Sequence, residues 1–204
     1  MKAMVSIDPM RNSERENYKL LIGSIIPRPI AFVTSLSSEG IINAAPFSYF
    51  NIVSSNPPMI SLAIQRVAGE PKDTARNIRE AKQFVIHIVD EDQVEQVNHT
   101  AARLPAEQSE LELTNLTTVD SVAIAVPGIR EAKVRMECVL EQIIELGENN
   151  VVNTDLIIGK VVQFHIQDDI YQDGKIDPVK LGAVSRLAGN NYAKIGEIFT
   201  IERP

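Results

Sequence analysis

Residues 27–51 read Pro-Arg-Pro-Ile-Ala-Phe-Val-Thr-Ser-Leu-Ser-Ser-Glu-Gly-Ile-Ile-Asn-Ala-Ala-Pro-Phe-Ser-Tyr-Phe-Asn. Ile30, Phe32 and Thr34 alternate with Ala31, Val33 and Ser35, the period of an extended strand, as far as a Ser37-Ser38-Glu39-Gly40 turn. The chain returns through Ile41 and Ile42, so the stretch predicts two strands joined by a turn. It ends in a run of small and hydroxyl residues beside Pro46 and Phe47. Short side chains let backbone approach a ligand closely. An apolar hairpin with Thr, Ser, Asn and Ala at its rim offers N–H groups and hydroxyls to a flat, phosphorylated molecule.

Downstream, Asn56-Pro57-Pro58 interrupts the pattern and residues 59–64 resume it as a third strand. After Gly69 and Pro71, Asp73 is placed to cap a helix with Ala75, Ile78 and Ala81 on one face and Arg76 and Arg79 on the other. Residues 84–89 form a short apolar strand, and Asp90 with Gln93 resembles a capping box before Val94, Val97 and Ala101. Residues 103–121, polar and acidic, read as an irregular, solvated surface excursion. Ala132, Val134, Met136, Cys138 and Leu140 then alternate with Lys133, Arg135, Glu137, Val139 and Glu141, which predicts a strand with one face buried and the other wet or at an interface. Residues 147–150 turn the chain into a strand over residues 156–166, interrupted by Gly159. Asp173-Gly174 marks a tight turn, and residues 199–202 suggest a last edge strand.

Many strands at this spacing, with two or three short helices, favour a mostly antiparallel closed or partly closed barrel, with an open α+β sandwich as the runner-up. No Gly-x-Gly-x-x-Gly follows a strand, which disfavours a doubly wound dinucleotide fold. A chain of 204 residues is long enough to bury a substantial core as one domain. Cys138 is the only cysteine, so no intrachain disulfide is possible and a reducing, cytoplasmic setting is expected. No apolar run approaches the roughly 20 residues of a membrane span, so no membrane association is expected. A net charge of −7 without a basic cluster, together with the absence of Trp, argues against nucleic acid as a partner. His87, His99 and His165 are not at ligand spacing from one another or from Cys138, and no metal site is expected.

Four separated blocks carry a likeness: residues 27–51, the run Lys72-Asp73-Thr74-Ala75-Arg76-Asn77-Ile78, the strand pair around Gly159, and residues 173–192 with Arg186-Leu187-Ala188-Gly189. Through these blocks in this order, from about Gly23 to Tyr192 of a single domain read as residues 1–204, the chain resembles the flavin reductase-like family. The resemblance implies a mostly β fold with short helices, the FMN-binding split barrel, a Greek-key antiparallel barrel. It implies a homodimer with FMN near the subunit interface. Some members reduce flavin with NADH or NADPH, among them reductase partners of two-component monooxygenases; others are flavoredoxin-like electron carriers. Asn190-Asn191 stands here where many relatives carry paired glycines.

FMN sets the candidate residues. A dianionic phosphate calls for N–H and hydroxyl donors at a helix start. Lys72, Asp73 and Thr74 supply one; on helix statistics alone they are an ordinary cap and a solvated lysine, and it is the resemblance that assigns them to phosphate. Ser48 and Arg28 are further phosphate or ribityl donors. At the ring edge stand Thr34, Ser35, Asn43, Ala45 and Phe47, with Pro29 and Pro46 in the same block and Asn51 orienting the loop that follows. Main-chain donors there would stabilise negative charge developing on the ring. The resemblance also implies that Arg186 reaches the phosphate and Tyr192 borders the ring. Hydride transfer between stacked rings needs no protein acid or base, so no catalytic side chain is assigned.

Overall fold

The opening hairpin forms as its alternation predicts, with β1 (Ala31–Leu36) and β2 (Ile42–Phe47) paired antiparallel from Ala31 opposite Phe47 to Leu36 opposite Ile42. The computed structural model describes residues 2–203. The chain continues through β3 (Phe50–Ser55), β4 (Pro58–Gln65), β5 (Gln83–Ile88), β6 (Val134–Glu148) and β7 (Val151–Ile166). All seven lie in one antiparallel sheet, in the order β2-β1-β5-β6-β7-β4-β3. β2 and β3 are the opposite edges of that order, yet only Ser48 and Tyr49 separate them in the chain. The sheet must therefore curl until its edges meet without a ladder between them, and the result is a split barrel.

Inside the barrel lie Val33, Phe47, Leu62, Ile64, Phe84, Ile86, Cys138 and Ile157. A second cluster, Ile30, Phe32, Ala44, Val89, Val97, Ile129 and Ala132, forms on the other side of the hairpin wall. β1 is apolar on both sides for this reason, and residues 31–35 are all buried. Gly159 sits beside a register shift between Ile158 and Gly159, and a Cβ there would lie 2.4 Å from Phe84 Cζ, so the barrel interior admits no side chain at this point.

Three helices position the site: α1 (Glu14–Ser24), α2 (Asp73–Ala81) and α3 (Val94–His99). α1 opens on a capping box in which Ser13 Oγ accepts from the Glu16 amide at 3.3 Å and Glu16 Oε2 accepts from the Ser13 amide at 2.8 Å. In α2 the cap position belongs to Lys72, not Asp73, and no side chain caps it; Asp73 is the first helical residue and pairs with Arg76. Its inner face runs through Thr74, Ala75, Asn77 and Ile78, with Ala81 exposed, because the two polar members find buried partners.

Four other expectations are corrected. Residues 50–55, read as loop, pair with β4 as the edge strand β3. Residues 199–202 form no strand. Glu137, expected on a face that is wet or at an interface, is instead buried within the chain, where it accepts from the Val122 and Ala123 amides at 2.7 Å each and bonds His165 at 2.6 Å. Desolvation alone would raise its carboxyl pKa, but the Val122 amide, His165 and the Ala123 amide together hold it below the usual range. The excursion at residues 103–121 contains a 3₁₀ turn, Glu110–Leu113, whose Glu110 is buried rather than solvated.

Candidate functional site

The split in the barrel opens a cavity of about 290 Å³ where Ser48 and Tyr49 face Ala63 and Gln65 of β4. Ile30, Phe47, Val89 and Val97 give it apolar walls, and Arg28, Lys72 and Arg186 reach it from three separate parts of the chain. No carboxylate lines it, in a chain whose net charge is −7. A second cavity of about 310 Å³ shares the wall formed by Pro46, Phe47 and Lys72 and continues to Asn43, Ala45, Asp73 and Thr74.

Each cation is held differently. Arg28 pairs in register with Arg186 as a two-residue strand, Arg28–Pro29 against Ser185–Arg186. Its guanidinium donates to the carbonyls of Ile22 at 2.8 Å and Ile25 at 2.6 Å at the end of α1, and to that of Leu187 at 2.9 Å. Its Nε, though buried, has no partner among the described residues. Arg186 donates to the Gly189 carbonyl at 2.6 Å and lies over the Tyr192 ring, 4.5 Å from its centroid. Tyr192 in turn donates its phenol to Asn98 Oδ1 at 3.0 Å. Lys72 Nζ stands 5.7 Å from the centre of the Phe47 ring. Desolvation, and then the charge of Arg103, hold its pKa below the usual lysine value. Among the described residues none of the three cations forms an ion pair with a carboxylate.

At the start of α2 the first helical hydrogen bond runs from the Arg76 amide to the Lys72 carbonyl at 3.0 Å. The amides of Asp73, Thr74 and Ala75 precede it and no side chain caps them, so the positive end of the helix dipole faces the second cavity. Below it runs a buried polar chain. Glu110 accepts from Asn43 Nδ2 at 2.8 Å and from the Ala44 amide at 3.0 Å; Asn43 Oδ1 accepts from Thr74 Oγ1 at 2.6 Å. Burial, with the charge of Asp73 in support, holds the Glu110 carboxyl above its usual range although the Ala44 amide and Asn43 pull it down.

The structure thus gathers eleven of the sequence candidates. Arg28, Pro46, Phe47, Ser48, Lys72, Arg186 and Tyr192 line the first cavity, and Asn43, Ala45, Asp73 and Thr74 line the second. Four line neither. Pro29 is exposed opposite Ser185; Thr34 is fully buried and donates to the Pro127 carbonyl at 2.7 Å; Ser35 is buried within the Asn43 and Asn77 network; Asn51 accepts from the adjoining Ile52 amide at 2.8 Å. Lining residues not foreseen include Tyr18 and Ile22 of α1, Tyr49, Asn98, Arg103 and Glu110. The Ser13-x-x-Glu16 signature could have announced α1; nothing local marks the others.

Unpaired cations, an unpartnered buried guanidinium nitrogen, an uncapped helix start and apolar walls suit a planar molecule carrying a phosphate. Residues 22–180 match the family described as the flavin reductase like domain. The chain belongs to that family. Among solved structures it is similar to nitrilotriacetate monooxygenase component B from Bacillus cereus, with 54% identity, coverage of 98% of this chain and 100% of that one, and a TM-score of 0.97. It is also similar to the Pseudomonas fluorescens 2-nitrobenzoate 2-nitroreductase NbaA, with 31% identity over 98% of this chain and 96% of that one and a TM-score of 0.88. A Shewanella frigidimarina protein with a split barrel domain, 21% identical over 96% of each chain with a TM-score of 0.83, shares the fold.

Proposed function

We propose that this member of the flavin reductase-like family is an FMN-binding oxidoreductase, an NAD(P)H:flavin reductase that supplies reduced flavin to an acceptor protein or a partner monooxygenase. The observation that carries the reading is the convergence of Arg28, Lys72 and Arg186 on one apolar-walled cavity without a carboxylate. FMN, when bound, supplies a ring that accepts a hydride and releases electrons. The chain's own part is to bind and orient it. Lys72, Arg186 and the unpartnered Nε of Arg28 neutralise and fix the phosphate, with the α2 amides and Ser48 as further donors. Phe47 and Pro46 form the apolar wall against which the ring lies; the backbone from Ala44 to Pro46 offers it no free donor, because the Ala44 amide is held by Glu110, Ala45 pairs with Val33 in the ladder and Pro46 has no N–H. Positioning, rather than proton transfer by a side chain, is what the protein contributes.

The similarity to a monooxygenase component B supports an oxygenase as the consumer of the reduced flavin. Exposed apolar residues on the edge strand β3, Ile52 and Val53, and on the C-terminal segment, Ile198, Phe199 and Ile201, support a homodimer that covers them. Among the described residues no helix is long and apolar enough to cross a membrane. The lone buried Cys138 supports a cytoplasmic setting.

The test is to mix the purified protein with FMN and with NADH or NADPH and follow nicotinamide oxidation. Oxidation dependent on both protein and FMN is expected. Retained flavin without oxidation would move the chain to a flavoredoxin-like electron carrier, and failure to bind flavin would refute the site.

A further inference from the structure

Glu110 is a buried carboxylate that the hydride chemistry does not use, and it comes from a segment that reads as solvated loop. Its position is fixed locally: Ser109 Oγ accepts from the Leu111 amide at 3.4 Å at the head of the 3₁₀ turn, and Leu111 packs on the cluster that holds Ile30, Phe32 and Val97. From there its two oxygens take separate jobs. Oε2 accepts from the Ala44 amide at 3.0 Å, and Oε1 accepts from Asn43 Nδ2 at 2.8 Å. A carboxylate can only accept, so it forces the amide of Asn43 to present its nitrogen to Glu110 and its oxygen the other way. That oxygen receives the Thr74 hydroxyl at 2.6 Å, inside the first turn of α2.

Two consequences follow for the site. The Thr74 proton is already committed to Asn43, so its hydroxyl is not free to donate to a phosphate, and the donors left at this end of α2 are backbone amides and Lys72. The strand bearing Phe47 and the helix start bearing Lys72, whose side chains meet in the wall shared by both cavities with Lys72 Nζ 5.7 Å from the centre of the Phe47 ring, are also tied through one chain of hydrogen bonds. We propose that Glu110 is a positioning residue of the cofactor site: through Asn43 and Thr74 it sets the distance between the Phe47 wall and the Lys72 helix start, and so tunes affinity for a phosphorylated flavin. This rests on the FMN reading above and adds a residue to it.

The experiment measures the FMN dissociation constant by quenching of flavin fluorescence, and thermal unfolding without ligand, in the wild type, Glu110→Gln, Glu110→Ala, Thr74→Val and the Glu110→Ala/Thr74→Val double variant. Glu110→Gln retains one acceptor for Asn43 but turns an N–H₂ toward the Ala44 amide, and is expected to weaken FMN several-fold while remaining folded. Glu110→Ala is expected to weaken FMN at least tenfold. Because the two residues act in one chain, adding Thr74→Val to it is expected to change the constant by less than Thr74→Val does alone. Lowered melting temperatures with an unchanged FMN constant in the folded Glu110→Gln and Thr74→Val proteins would reduce Glu110 to a stability role and overturn the proposal. So would fully additive effects. Should Glu110→Ala not fold, the first comparison decides alone. A wild type that takes up no FMN removes the site reading itself, and the proposal with it.

Discussion

Arg66 grips Asp155 with two parallel hydrogen bonds, Nε to Oδ2 at 2.9 Å and an Nη to Oδ1 at 2.8 Å. Asp155 is fully buried, and Arg79 of α2 donates to the same Oδ1 at 3.0 Å while both arginines also reach Glu145 of β6. The cluster fastens α2 to the long β6 and β7 strands and so holds the helix whose start faces the site. Asp155→Ala would leave two guanidinium groups beside an empty buried position. The expected loss is about 3 kcal/mol or more of unfolding free energy, measured by denaturant titration.

Gly159 carries no side chain because Phe84 occupies the space. Gly159→Ala puts a methyl 2.4 Å from a fully buried ring that cannot swing into solvent. A destabilisation of about 1–3 kcal/mol is expected, and a smaller one on adding Phe84→Leu, which makes room. Equal stability of Gly159→Ala and wild type would contradict this account of the barrel interior.

His87 makes the fold sensitive to acid. Its Nδ1 lies 2.8 Å from the Phe32 carbonyl, to which it donates, and its Nε2 accepts from the Ile129 amide at 2.8 Å, an arrangement that requires the neutral ring. Burial pushes its pKa down from 6.5 to about 3, against the pull of the Phe32 carbonyl and helped by the charge of Arg135. Above pH 6.5 neither state binds the proton; below it the unfolded chain does and the folded chain does not, until about pH 3. His87 therefore favours unfolding increasingly as pH falls through that window. Melting temperatures between pH 7 and pH 4 are expected to fall more steeply for the wild type than for His87→Gln, which retains one donor and one acceptor without titrating. Parallel curves would contradict it.

The anion-binding reading predicts unequal effects of neutralising lysines and arginines. A hydrogen bond to a charged group contributes about 1.5–3 kcal/mol, so Lys72→Ala and Arg186→Ala are each expected to weaken FMN by about tenfold or more. Lys175→Ala removes the same charge on an exposed hairpin away from both cavities and is expected to change affinity less than twofold. Equilibrium binding in constant salt checks the contrast.

Much of this architecture is legible from residue order. The alternation in residues 30–35 and 132–141, the Ser37-Ser38-Glu39-Gly40 and Asp173-Gly174 turns and the helix after Lys72 are local signals, and local signals survive folding. What was hidden is set at long range. Phe50–Ser55 becomes a strand only because β4 offers it a ladder, and Glu137 is buried only because Val122, Ala123 and His165 arrive to bond it. Glu110 meets Asn43 across 67 positions of chain, so an acidic loop residue and a buried anchor look identical in one dimension. The same holds in reverse for Thr34 and Ser35, whose hydroxyls suggested a ligand but are satisfied by Pro127, Asn43 and Asn77.

Titrating the purified, flavin-free protein with FMN while recording its visible spectrum and fluorescence tests the central claim most directly. Saturable uptake at one flavin per chain, with a perturbed absorption band and weakened binding in Lys72→Ala, is the predicted result. An unperturbed spectrum of free flavin at every ratio, or uptake indifferent to Arg28, Lys72 and Arg186, would contradict it.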